Sequence, residues 1–124
     1  MDRLAVILGS LLMFLAVGAG AFGAHALSGY FDQYPDLEGT YDTALRYQMV
    51  HSLALFAVAW VISKWQSKLA IWSGILFLAG IVLFSGSLFL LVFTRITWLG
   101  AITPLGGLAF LAGWFCLALV AWRN

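Results

Sequence analysis

Long apolar runs dominate the chain, and most of its polar residues fall between them. Leu4 to Leu27 contains no acid, lysine or arginine; a polar stretch over 28–42 follows, holding Asp32, Asp36, Glu38, Asp42 and Pro35. Further apolar runs cover about 43–63, 69–94 and 98–122, separated by Lys64-Trp65-Gln66-Ser67-Lys68 and by Arg95-Ile96-Thr97. A spanning helix needs about 20 mainly apolar residues, because the hydrocarbon layer is about 30 Å thick and each residue rises about 1.5 Å. Every run meets that length. The runs are continuous instead of alternating, and too long for barrel strands. They predict an all-α integral membrane bundle of four transmembrane helices: one membrane domain over 1–124, with a polar outer loop at 28–42.

Composition agrees with a second apolar solvent. Of 124 residues, 64% are hydrophobic and 9% are charged, more apolar surface than a soluble domain of this size can hide. Ala24-His25-Ala26 resembles a signal-peptidase site, but the run before it exceeds the 7–15 residues of a signal core, so the expectation is an uncleaved helix. A net charge of +1 offers no basic field for nucleic acid. Cys116 is the only cysteine, which excludes an intrachain disulfide and a Cys-X-X-Cys metal site; it reads as a small buried hydrophobe. With four spans, Arg3, Lys64, Lys68 and Arg123 share one side and Arg46 and Arg95 the other, a bias that predicts both termini in the cytoplasm. Trp65, Trp72, Trp98 and Trp122 lie near the expected boundaries, where amphipathic rings prefer to sit.

Small residues recur at seven-residue spacing: Gly9, Ala16 and Gly23 with Gly20 beside them; Ser73, Gly80 and Ser87; Gly106 and Gly113 with Ala109; more weakly Ser52 and Ala59. Lipid tails supply no hydrophobic reason for helices to associate, so close backbone approach at small residues supplies one, and a seven-residue seam implies left-handed, near-parallel crossing. Pro104 falls early in the last span, where its missing N–H does least harm. In the 28–42 stretch, Tyr30, Phe31, Tyr34, Leu37 and Tyr41 alternate with acids, as in a short helix lying on the headgroups; Pro35 and Gly39 argue equally for a loop with one or two helical turns.

Ionisable and amide side chains inside spans are costly and are functional candidates by default. Gln48, His51 and Ser52 share a face of the second span, and Arg46 points nearly opposite. Asp42 and Arg46 form a favourable i, i+4 pair with the acid first. Counted from the outer end, His51 lies about 12 Å deep, and Ser85 and Ser87 reach a similar depth from the other direction. The expected site is an outer-leaflet cluster of Gln48, His51, Ser87 and Thr103, with Ser85 alongside and His25 and Arg46 near its mouth. The competing reading is interhelical hydrogen bonding that only fixes packing, with Arg46 a snorkelling anchor and the serines bonded to their own backbone. Two histidines at different depths suit neither a structural zinc nor a bis-His haem, so no metal or cofactor is expected. No GxSxG, Walker A, HExxH or GxGxxG pattern occurs, and no acid pair lies inside the spans.

Four stretches carry a family resemblance: Gly20-Ala21-Phe22-Gly23-Ala24-His25-Ala26-Leu27, 43–55 around Arg46-Tyr47-Gln48-Met49-Val50-His51, 80–88 around Phe84-Ser85-Gly86-Ser87, and 99–107 around Ile102-Thr103-Pro104. They touch all four spans, and together the chain resembles the domain of unknown function 423 family of small bacterial inner-membrane proteins, related to the eukaryotic transmembrane protein 256. The resemblance implies a four-span inner-membrane protein with no established activity, and points to the same polar positions. Three functions follow as alternatives: a non-enzymatic module binding lipid or a membrane protein partner through the polar cluster; a homo-oligomeric channel or transporter, since four helices hardly enclose an aqueous path alone; and, ranked last, a lipid-modifying enzyme with His51 as base, for which no orienting acid is placed.

Overall fold

The computed structural model describes residues 1–124 and contains helices and turns, with no strand. Helix α1 is Asp2–His25, α2 Ser28–Gln33, α3 Pro35–Trp65, α4 Lys68–Gly80, α5 Ser87–Thr94 and α6 Thr103–Arg123. A π-helical stretch, Ile81–Gly86, joins α4 to α5 without a break, and a 3₁₀ turn, Thr97–Ala101, precedes α6. Four helical segments are therefore long and apolar enough to cross a membrane: α1, α3, α4 through α5, and the 3₁₀ turn with α6. Left-handed residues end two of them, Gln66 at φ 47° and Arg95 at φ 58°, so that short turns reverse the chain.

The 28–42 stretch departs from a loop. Two helical pieces, α2 and the start of α3, fill it, with only Tyr34 breaking the path. Pro35 occupies the first turn of α3, where a missing N–H and a preset φ cost nothing, and Gly39 stays helical because Leu37 and Tyr41 on either side are buried. The aromatic stripe turns inward. Phe31, Leu37 and Tyr41 pack on Val92 and Phe89 of α5, and the Tyr30 hydroxyl donates to the Val92 carbonyl at 2.6 Å. Arg95 lies over the Tyr34 ring, 4.6 Å from its centroid, and donates to the Tyr34 hydroxyl. The segment is an aromatic cap on one end of the bundle. At the other end Val120 packs with Val61 and Ala70, and Asp2 and Arg3 share a cleft with Trp60 and Ser63, so both termini lie beside the α3–α4 turn.

The small-residue seams are where helices touch. Gly9 and Ala16 are buried on α1; a Cβ on Gly9 would meet the Ser52 carbonyl at 2.9 Å, and one on Gly23 the Tyr41 ring at 2.5 Å. On α6, Gly113 faces Phe77 and the Ser73 carbonyl, and Gly106 faces the backbone of Phe84 and Leu83. Ala54, Leu55, Val58, Phe77, Ile81 and Phe110 form the core where α3, α4 and α6 converge. Thus α1 packs on α3, α3 on α4 through α5, and α6 on α4 and the π-helical stretch. Two edges of the bundle stay open. One is a groove between α1 and α5 floored by α3; the other lies between α3 and α6.

Candidate functional site

Helix α3 is central, and its polar side chains go to different neighbours. Gln48, 8% exposed, sends Nε2 to the Leu12 carbonyl of α1 at 2.9 Å. His51, one turn on and 3% exposed, meets a different neighbour: its ring stacks on Phe110 of α6 at 3.5 Å between centroids and 9° between planes. Both His51 nitrogens are engaged. Nδ1 is 2.7 Å from the Tyr47 carbonyl and Nε2 is 3.0 Å from the indole Nε1 of Trp114. An indole N–H can only donate, so Nε2 must accept, and the proton sits on Nδ1 and is donated to Tyr47. This imidazole is neutral, with its tautomer set by two hydrogen bonds, and has no free nitrogen for a substrate proton or a metal.

The remaining expected residues are spread over four places. Ser85 donates to the Ala44 carbonyl at 2.7 Å, tying the π-helical stretch to α3. Ser87 donates its one hydroxyl proton to the Phe84 carbonyl a turn back, at 2.9 Å, and so accepts from the Thr103 hydroxyl at 2.7 Å, the only direct side-chain bond within the expected cluster. Arg46 is exposed, and the expected pairing with Asp42 is absent: the one ion pair joins Asp2 to the N-terminus. His25 is exposed at the end of α1, and its carbonyl accepts from Ser28. No buried side-chain nitrogen or oxygen is sealed away without a partner. The buried polar side chains thus serve as interhelical ties at separate points. Ser85 bonds a neighbouring helix, against the competing reading in which it serves its own backbone, because the π-helical stretch presses its flank against α3.

Sequence reading missed Trp114 and Tyr47 as partners of His51. A signal for Trp114 exists: it sits mid-helix, away from the boundary belt, where an indole N–H has no water and requires a protein acceptor. Interhelical serine bonds of this kind are worth about 0.6 kcal/mol on average and at most about 1.7. Ser85→Ala and Ser73→Ala, which removes a 2.8 Å bond to Gly113, should each lose about that much in reversible unfolding; Ser52→Ala, whose hydroxyl bonds its own helix, should lose less.

Two clefts border these ties. Between α1 and α5 run two connected depressions of about 730 and 580 Å³ that share Leu15, Gln48 and Phe89. Between α3 and α6 a cleft of about 680 Å³ is lined by Tyr47, His51, Gly107, Leu111 and Trp114. No group of His, Cys, Asp or Glu converges to hold a metal ion.

A family model described as Protein of unknown function (DUF423) matches residues 19–107. The UPF0382 membrane protein SH2409 of Staphylococcus haemolyticus is 45% identical over 122 residues, 98% of this chain and 97% of its own. The UPF0382 membrane protein YwdK of Bacillus subtilis is 47% identical over 118 residues, 94% of each chain. No solved structure matches. The matched region contains every expected polar position from His25 to Thr103, and the relatives are called membrane proteins, in keeping with four apolar helices. This chain is an integral membrane protein of bacterial type, and it belongs to the DUF423 family of proteins of unknown function.

Proposed function

We propose that the protein is a non-enzymatic module of the bacterial inner membrane, both termini cytoplasmic, that holds a lipid in the groove between α1 and α5. The observation that carries this reading is the open groove itself: apolar walls from Phe14, Leu15, Phe22, Phe89 and Phe93 face each other across a gap that opens sideways, where acyl chains are the solvent. The middle of the bundle is filled by Leu55, Val58 and Phe77, all under 2% exposed, which favours a lateral site over a path along the axis of one copy. His51 is an unpromising base, since both nitrogens are already bonded.

Gly18 lines the groove, and a Cβ there would meet nothing within 4 Å. Gly18→Phe should therefore fill the groove without disturbing the fold. In native mass spectrometry from mild detergent, the wild type is expected to retain one lipid per chain and Gly18→Phe to lose it. Equal retention by the two proteins rejects the reading.

A further inference from the structure

Gln48 makes one hydrogen bond where its carboxamide could make four. The bond to the Leu12 carbonyl must come from Nε2, because two carbonyl oxygens do not bond, and this fixes the orientation of the amide: Oε1 points away from Leu12 and accepts from no protein group. That oxygen is not sealed in, since no buried side-chain oxygen lacks a partner; it opens to the depressions that Gln48 floors between α1 and α5. In a soluble protein water would occupy it. Here the groove opens to hydrocarbon, where water is scarce and an unpaired amide oxygen is costly.

Depth restricts what can donate. Gln48 lies six residues beyond Asp42, about 9 Å deeper than the last acid of α3. Ester groups of glycerolipids sit at the boundary and only accept, and headgroup hydroxyls and ammonium groups sit above it. Acyl chains can fill the rest of the groove and leave Oε1 bare. We propose that the α1–α5 groove is a binding site for a neutral, lipid-soluble hydroxyl compound of the hydroquinone or long-chain-alcohol class, whose O–H donates to Gln48 Oε1 below the headgroup level. A hydroxyl both donates and accepts, so it also suits the second N–H of Nε2. Aromatic side chains at Phe14, Phe22, Phe89 and Phe93 give a ring flat surfaces to lie against.

This inference rests on the lipid-groove reading, and the test separates the two. The probes are decylhydroquinone and its dimethyl ether, which keeps the ring and chain and removes both donors. With wild-type protein in lipid nanodiscs, the hydroquinone should bind about tenfold more tightly than the ether, the difference one buried hydrogen bond makes. Gln48→Leu should bring the hydroquinone to the level of the ether. Equal binding of both probes by the wild type overturns the inference and leaves lipid binding standing, and needs no variant to fold. Undiminished discrimination in Gln48→Leu also overturns it. A stable dimer that excludes both probes overturns it by giving the groove to a second copy, and binding of neither probe together with no retained lipid overturns both readings.

Discussion

Gly106→Ala is expected to destabilise the bundle by about 1–3 kcal/mol, the usual range for forcing a methyl group into a filled interface. A Cβ at this position would lie 2.3 Å from the Phe84 nitrogen, 2.7 Å from the Phe84 Cβ and 2.8 Å from the Leu83 carbonyl carbon. Two of these atoms are backbone, so no side chain can swing aside, and α6 must lift off the π-helical stretch. Gly80 makes a useful comparison: its Cβ would come equally close, 2.3 Å, but to the Phe110 ring, a side chain and not backbone, though one held by its stack on His51. Gly107, one residue along, would meet nothing nearer than 3.9 Å. Gly107→Ala should accordingly be neutral or gain up to about 1 kcal/mol from helix propensity. Thermal or denaturant unfolding of the two variants in one detergent is a matched comparison. If they behave alike, close contact between α6 and the π-helical stretch is not what holds that edge together.

His51→Ala is expected to cost about 3–5 kcal/mol, comparable to truncating a buried aromatic side chain. It removes a ring stacked on Phe110 and flanked by Phe77 and Tyr47, and leaves the Trp114 N–H facing a cavity. His51→Phe separates the terms, because it keeps the stack and deletes the acceptor. It should cost about 1–3 kcal/mol, the penalty for a donor left unpaired. Adding Trp114→Phe to it should recover most of that loss, since no donor then needs a partner. A double-mutant cycle over His51 and Trp114 reads the coupling directly, and a value near zero would mean that the hydrogen bond does not hold the two helices together. Nitrogen chemical shifts of labelled His51 provide a second check, with the Nδ1–H tautomer expected.

The seams were legible because close approach at small residues is a local property repeated along a helix. Gly9 and Ala16 on α1, and Gly106 and Gly113 on α6, all face another helix. The aromatic cap was half legible: its stripe of Tyr30, Phe31, Tyr34, Leu37 and Tyr41 was visible, but not the direction it faces. Headgroups and the last turns of α5 are equally good partners for such a stripe until the bundle is assembled. Gln48 and His51 go to different helices for a related reason. Gln48 and His51 are three residues apart, about 60° on the helix circumference, and on a central helix that is enough to address two different neighbours. One bonds α1 and the other α6.

What the sequence by itself determined is the solvent and the number of crossings, because transfer into hydrocarbon depends on each residue's own side chain and sums along the run. It also marked which residues are unusual at their depth: Gln48, His51, Ser85, Ser87 and Thr103. Only the tertiary structure decided their partners, the tautomer of His51, the free oxygen on Gln48 and the two open clefts. Those depend on distances between helices, and a relative rotation of a few tens of degrees, which no single helix records, changes every one of them.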